Sequence, residues 1–291
     1  MFKDGLLKGK RILITGGGTG LGKVIAERYL QLGAELWLAG RRAGVLEETA
    51  QTLTGRHGGT VRTHAVDIRD AQAVDAMAER IWTDAGPLTG LVNNAAGNFI
   101  SPTKDLTVNG FNAIANIVFH GSFYVTHAVG KRWIAGGHKG SVVSILVTWV
   151  WSGSPYVVPS AMSKAGLHVM TKSLAVEWGR YGIRLNAIAP GAFPTEGASK
   201  RLRPGGSFEE ANESNPMRRV GEMPELQNLA TFLMADGCEW LTGETIAVDG
   251  GGYLANGASF TELDKLSDAD WDRMRAMIKA QNEKDRAGRG H

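Results

Sequence analysis

The segment Arg11–Gly22 reads RILITGGGTGLG, and its three parts decide the fold. RILI is a short apolar run of the kind that forms a buried strand. Thr15 and the glycines stop it. From Leu21 to Gly33 apolar residues return at helical spacing, with Val24, Ile25, Tyr29 and Leu30 on one face. A strand that breaks at clustered glycines and resumes at once as a helix fits a phosphate-binding turn. Gly16, Gly20 and Gly22 let the chain turn tightly, let backbone approach a pyrophosphate and let helix pack on strand. Gly18, Thr19 and Leu21 complete the loop, and the helix N-terminus offers unpaired N–H groups to the phosphates.

Outward from this turn the alternation repeats. Strands are predicted at Glu35–Ala39, Val61–Val66 and Gly90–Val92, with helices at Val45–Leu53 and Ala73–Ala85 between them. A long helix follows at Phe111–Ala135, then a strand at Gly140–Val150, a helix at Ser160–Gly179 and a strand at Arg184–Ile188. Pro190–Pro216 breaks the rhythm with glycines, prolines and charges, as binding loops do. Leu226–Ala235 and Thr245–Val248 add a last helix and strand, and Ser267 with Asp270 opens a polar tail helix as a partial capping box. Such alternation implies right-handed crossovers, hence an α/β fold: a single Rossmann-type, doubly wound parallel sheet with helices on both faces. We expect one domain over residues 1–252, with 253–291 as a helical extension.

Composition agrees. The chain has 291 residues, 43% hydrophobic and 21% charged, which excludes a mainly disordered or fibrous state. Its 39 glycines are near twice the ~7% usual share. The net charge of +3 is scattered, without the basic run of a nucleic-acid footprint. The single Cys238 cannot form an intrachain disulfide, so a reducing, cytoplasmic setting is expected. MFKDGLLKGK does not read as a secretory signal, and Ser141–Trp151 is too short to span a membrane. His57, His64, His127, His138 and His168 lack metal-ligand spacing, so no metal is expected.

The second strand ends in Gly40-Arg41-Arg42. An acidic residue there would suit the ribose diol of NAD. Two guanidiniums suit the 2′-phosphate of NADP(H), which is the cofactor expected.

Taken together, these residues resemble the short-chain dehydrogenase/reductase family from about Leu7 to Gly252. Asn93-Asn94-Ala95-Ala96-Gly97 is similar to the family's segment beside the nicotinamide, Asp67-Ile68 to its adenine contact, and Pro190-Gly191 with Phe193 and Thr195 to its carboxamide loop. Within the family, AAGNFISPT (95–103), VVPSAMSKAG (157–166) and SLAVEWGRYGIRLNAIAPG (173–191) are most similar to 2,4-dienoyl-CoA reductases. The resemblance implies NADPH-dependent reduction of a 2,4-dienoyl-CoA to a 3-enoyl-CoA in fatty-acid metabolism. It also implies that Phe99, Tyr156, Arg69 and Arg201 meet the acyl-CoA substrate.

The proton-handling residues depart from the wider family. Of its Tyr-x-x-x-Lys pair, Lys164 is present and Ser160 stands at the tyrosine position, as in the mitochondrial type of dienoyl-CoA reductase. The compensating tyrosine of that type falls on Trp149, and its asparagine falls on His120 before Gly121. Lys164, Ser160 and His120 are therefore the catalytic candidates. Lys164 would bind the ribose and stabilise negative charge, while Ser160 and His120 would hold the thioester oxygen. Ser160 could alternatively be a helix cap and His120 a buried structural histidine. A carbonyl (3-oxoacyl) reductase and a non-catalytic NADP-binding protein are the competing functions.

The helices Phe111–Ala135 and Ser160–Gly179 carry more apolar residues than one sheet-facing stripe requires: Ile114, Ile117, Val118, Phe119, Phe123 and Val125 on the first, and Leu167, Val169, Met170, Leu174, Val176 and Trp178 on the second. With the resemblance, this surplus implies a homotetramer.

Overall fold

The computed structural model describes residues 1–195, 215–255 and 261–288. The chain divides into two compact units, Met1–Tyr253 and Leu254–His291.

The first unit is wound around seven parallel strands. They are β1 (Arg11–Thr15), β2 (Glu35–Gly40), β3 (Val61–Ala65), β4 (Gly90–Asn93), β5 (Gly140–Ile145), β6 (Ile183–Pro190) and β7 (Thr245–Val248). Their order in the sheet is β3-β2-β1-β4-β5-β6-β7. Winding runs one way from β1 to β3 and the other way from β4 to β7, so the switch lies between β1 and β4. That is where an open α/β sheet leaves a crevice beyond its strand ends.

The predicted strands are thus present, and helices cover both faces. The helices of this unit are α1 (Gly20–Gln31), α2 (Ala43–His57), α3 (Ala71–Ala85), α4 (Val108–Ala115), α5 (Ser122–Gly136), α6 (Trp149–Ser152), α7 (Val158–Trp178) and α8 (Met223–Met234). On one face Ile12, Ile14 and Leu36 pack with Ile25 and Tyr29 of α1 and Leu226 and Leu233 of α8. On the other, Leu13, Leu91 and Val142 pack with Met77 and Ile81 of α3, Val129 and Trp133 of α5 and Trp178 of α7. Strands buried on both sides must be apolar throughout, which is why RILI and ELWLA carry no alternation. Two large buried side chains are tied down by their polar ends: the Tyr29 hydroxyl donates to the Ala230 carbonyl at 2.8 Å, and the Trp133 indole N–H to the Leu88 carbonyl at 2.6 Å.

Two predicted elements differ. The helix expected over Phe111–Ala135 is interrupted, because Asn116–Gly121 forms a π turn between α4 and α5. A π turn inserts an extra residue and rotates whatever follows. The strand expected over Gly140–Val150 ends at Ile145, after which the chain turns into the short α6. An apolar run alone does not distinguish strand from buried helix.

In the second unit, Thr261–Lys265 is a 3-10 turn and α9 (Asp268–Gly288) a solvated helix. Asp270 accepts from both the Ser267 backbone N–H (2.9 Å) and its hydroxyl (2.6 Å), as the capping-box reading expected. Among the described residues, no helix is long and apolar enough to cross a membrane.

Candidate cofactor and active site

The glycine turn is locked from the neighbouring strand. The Thr15 hydroxyl accepts from the N–H groups of Asn94 and Ala95, each at 3.1 Å, and Asn94 donates its amide to the carbonyls of Thr15 (3.0 Å) and Gly16 (3.2 Å). This close approach explains two glycines. A Cβ at Gly16 would stand 2.9 Å from the Asn94 amide nitrogen, and one at Gly22 would stand 2.6 Å from the Gly16 carbonyl oxygen. Gly20 differs: its φ is +55°, and a Cβ there would meet nothing within 4 Å. That open space fronts the start of α1, whose N-cap Thr19 makes no side-chain capping bond. An anion with backbone donors on offer fits there.

The turn forms the middle of a cleft of about 590 Å³ that also takes in the ends of β2, β4, β5 and β6. Gly16, Gly18, Thr19, Gly20 and Leu21 line it together with Asn94, Ala95 and Ala96. Toward β2 and β3 stand Arg41, Arg42, Asp67 and Ile68 over an apolar floor of Val45, Leu46 and Val66. Toward β5 and β6 stand Ser160, Lys164, Pro190, Gly191, Phe193 and Thr195. Most residues assigned to the cofactor from sequence therefore share one wall-to-wall cavity. Gly22 packs behind the turn against Asn94 instead.

Arg41 and Arg42 are exposed at the cleft edge. Asp67 is gripped by Arg69, whose guanidinium holds its carboxyl below the usual carboxylate range, with Arg41 adding to the effect.

At the other end, α7 carries Ser160 and Lys164 one turn apart, so both face the cleft. Each is 4% exposed. The Lys164 ammonium donates to the Ile145 carbonyl at the end of β5, and burial lowers its pKa to about 8. Val157 is the N-cap of α7 and Ser160 lies inside the first turn, without a side-chain cap bond, so capping does not account for it. Trp149 lines the cleft near them, because α6 begins where the predicted strand would have continued. No tyrosine lines this cleft among the described residues.

The other candidates are not gathered here. His120 is exposed and outside the cleft lining; its ring meets those of Phe119 and Tyr124. The π turn is the reason, since Ile117 takes the cleft-facing position and Val118 the buried one. The alternative reading of a buried histidine fails as well. Phe99 packs on the small core of Ile114, Val118, Leu146 and Leu167. Tyr156 is 57% exposed, and its carbonyl accepts from the Ser101 N–H. Arg69 turns to Asp67, and Arg201 lies outside the described residues. Sequence reasoning missed Ile117, Leu146 and Val147, which line the cleft, and quoted Gly40, Gly97 and Asn98 without assigning them to it. Gly97 closes the Asn93–Gly97 segment already read as lying beside the nicotinamide, and Asn98 follows it directly. Among the described residues, no three His, Cys, Asp or Glu side chains cluster as a metal site would require.

With this geometry established, comparison with known proteins is decisive about ancestry. The sequence model of the family described as "Enoyl-(Acyl carrier protein) reductase" matches residues 16–252. The chain belongs to the short-chain dehydrogenase/reductase family. It is 40% identical over 293 residues to the Caenorhabditis elegans protein named "Probable 2,4-dienoyl-CoA reductase decr-1.2 [(3E)-enoyl-CoA-producing]", covering 99% of this chain and 95% of that one. The Bacillus subtilis "Probable 2,4-dienoyl-CoA reductase [(2E)-enoyl-CoA-producing]" is 38% identical, over 84% of this chain and 97% of its own. A solved Agrobacterium tumefaciens structure with bound NADP superposes with a TM-score of 0.78 at 30% identity, over 87% of this chain and all of its own. The chain is an oxidoreductase.

Proposed function

We propose that the protein is an NADPH-dependent reductase of a 2,4-dienoyl-CoA, yielding a 3-enoyl-CoA. The observation that carries this reading is one cleft with a phosphate turn in its middle, two arginines at one end, and Ser160 and Lys164 without a tyrosine at the other. Reduction of a ketone needs a proton delivered to oxygen, and in this family's wider pattern a tyrosine supplies it. Reduction of a conjugated thioester needs the oxygen held while negative charge spreads over the acyl chain, and a carbon then takes a proton from water or a side chain. Hydrogen-bond donors and a cation serve that purpose. The names of the relatives, dienoyl-CoA reductases, support the same substrate.

The residues fit a dinucleotide. Gly16–Leu21 and the N-terminus of α1 would hold the pyrophosphate, Arg41 and Arg42 the 2′-phosphate, Asp67 and Ile68 the adenine side, and Asn94–Ala96, Pro190, Gly191 and Phe193 the nicotinamide side. When bound, NADPH supplies the hydride and its two electrons. Lys164 orients the nicotinamide ribose, and its charge favours negative charge on the nearby thioester oxygen. Ser160 donates to that oxygen, an assignment supported by its burial beside Lys164. Trp149 and Phe193 line the cleft beside them. Residues 1–252 carry all of this, with 253–291 an extension; a reducing cytoplasmic setting accords with the single Cys238.

NADPH oxidation measured against 2,4-dienoyl-, 2-enoyl- and 3-oxoacyl-CoA esters tests the reading. Turnover of the dienoyl ester is expected. Turnover of the 3-oxo ester alone would replace it with a carbonyl reductase, and tight NADPH binding without turnover would indicate a non-catalytic binder.

The reading includes a homotetramer. Phe123 is 45% exposed, Val169 60% and Val176 87%, so α5 and α7 present apolar side chains to the outside of the unit. Light scattering should then give four times the 31.1 kDa chain mass. Val169→Asp or Phe123→Asp should dissociate the assembly, and a wild-type monomer at micromolar concentration would refute it.

A further inference from the structure

Arg69, which the resemblance assigns to the acyl-CoA, directs its guanidinium to a different place. The β2–β3 ladder continues past the strand ends through the Val66 N–H bonded to the Gly40 carbonyl at 2.9 Å. Arg41 and Asp67 therefore follow side by side at the cleft edge, and both line it. Arg69 does not. Its Nε donates to both Asp67 oxygens at 3.0 and 2.9 Å, its Nη2 to Oδ2 at 2.5 Å, and its backbone N–H to Oδ1 at 3.1 Å. One residue thus supplies four donor contacts to a single carboxylate.

A carboxylate in this position is a liability. On the adenine side it lines the same end of the cleft as Arg41 and feels that guanidinium's charge, so it repels a 2′-phosphate held there and competes with it for Arg41. Cancelling its charge from outside the cleft removes the repulsion and leaves Arg41 and Arg42 available. We propose that Arg69 is a positioning residue that sets cofactor preference: by clamping and neutralising Asp67, it keeps the adenosine end selective for a 2′-phosphorylated dinucleotide. This rests on the NADPH reading given above.

The test is the affinity of the full-length protein for NADPH and for NADH, measured on wild type, Arg69→Gln, Arg69→Lys and Asp67→Asn/Arg69→Gln. Arg69→Gln is expected to lower the NADPH-to-NADH affinity ratio about fivefold at low salt, as befits a partly exposed charge pair, almost wholly through NADPH. Raising the salt shrinks the effect. The double variant, which removes the carboxylate charge, should restore the ratio. Arg69→Lys should retain most of it, because charge is kept while the fork is lost. Equal losses for both cofactors would overturn the proposal in favour of a merely structural role. An unchanged ratio with a raised KM for dienoyl-CoA would overturn it in favour of a substrate contact. Wild type preferring NADH would overturn both this and the NADPH reading, whereas wild type preferring NADPH with an unchanged Arg69→Gln ratio overturns this proposal alone.

Discussion

At the β1 end of the cleft the site is made largely of backbone, with the Thr15 and Gly16 carbonyls accepting from the Asn94 amide at 3.0 and 3.2 Å. At the β5–α7 end it is made of side chains delivered by three elements: Trp149 from α6, Ser160 and Lys164 from α7, and Phe193 from the segment after β6. A backbone site is specified by consecutive residues, and at Gly16 and Gly22 it leaves no room for a Cβ. A side-chain site is specified by packing between distant segments, and its chemistry changes with a single substitution. The same fold can therefore keep its cofactor end while its reacting end changes hands from tyrosine to other groups.

The largest effect is expected at the reacting end. Lys164→Met should lower kcat/KM for dienoyl-CoA by roughly 10²–10³, the cost typical of losing one electrostatic stabiliser. In wild type, kcat/KM should fall as pH rises through about 8, because only the protonated amine stabilises negative charge. Stability should move the other way. The folded pKa lies below the unfolded value of 10.5, so the buried charge penalises folding below pH 8. That penalty is relieved between about pH 8 and 10.5, where the unfolded chain binds the extra proton. Thermal melts should then find Lys164→Met more stable than wild type at pH 7, with the gap closing toward pH 10.5. A gap independent of pH would mean that the amine is not desolvated.

The cofactor end should respond in affinity. Arg41→Asp removes a charge-assisted phosphate contact worth very roughly 1.5–3 kcal/mol and adds repulsion, so NADPH should bind at least tenfold more weakly with little change for NADH. Fluorescence titration with both cofactors checks this, and equal losses would show that Arg41 supports the loop only. Gly22→Ala tests the backbone itself. A methyl forced between Asn94 and the Gly16 carbonyl should cost about 1–3 kcal/mol of stability and weaken both cofactors together. Loss of NADPH affinity without loss of NADH affinity would break the distinction between the two ends.

The same contrast explains what could be read from sequence. The strands RILI and ELWLA, and the turn between Thr15 and Gly22, are local in cause, and the structure has them within a residue or two of the expected bounds. Ser160 and Lys164 were also legible, because four residues on a helix must share a face. His120 was not, since the π turn at Asn116–Gly121 rotates the helix by a residue that no periodicity reveals. Trp149 reads as a strand end because the apolar run continues past Ile145, whereas the turn into α6 depends on how α6 packs on α7. Arg69 shows the limit of correspondence between relatives. A matched position says which residue is present, and the structure adds that its guanidinium is paired with the neighbouring Asp67 carboxylate.

The smallest effect is expected at Tyr156, the phenol nearest to Lys164 in sequence and a natural candidate to replace the missing family tyrosine. Tyr156 has φ +63°, an uncommon conformation for a side chain of this size, and the residue is 57% exposed. Its contact to Ser101 runs through the backbone carbonyl, which a ring substitution does not touch. Tyr156→Phe deletes only the hydroxyl, leaving φ, ring and carbonyl in place. Turnover of dienoyl-CoA should therefore stay within about twofold of wild type, the range of a surface change away from special features. A drop of tenfold or more in kcat, with KM and the melting temperature unchanged, would put a phenol back into the chemistry. It would mean that substrate binding brings Tyr156 into the cleft and that the reacting end is completed only in the complex.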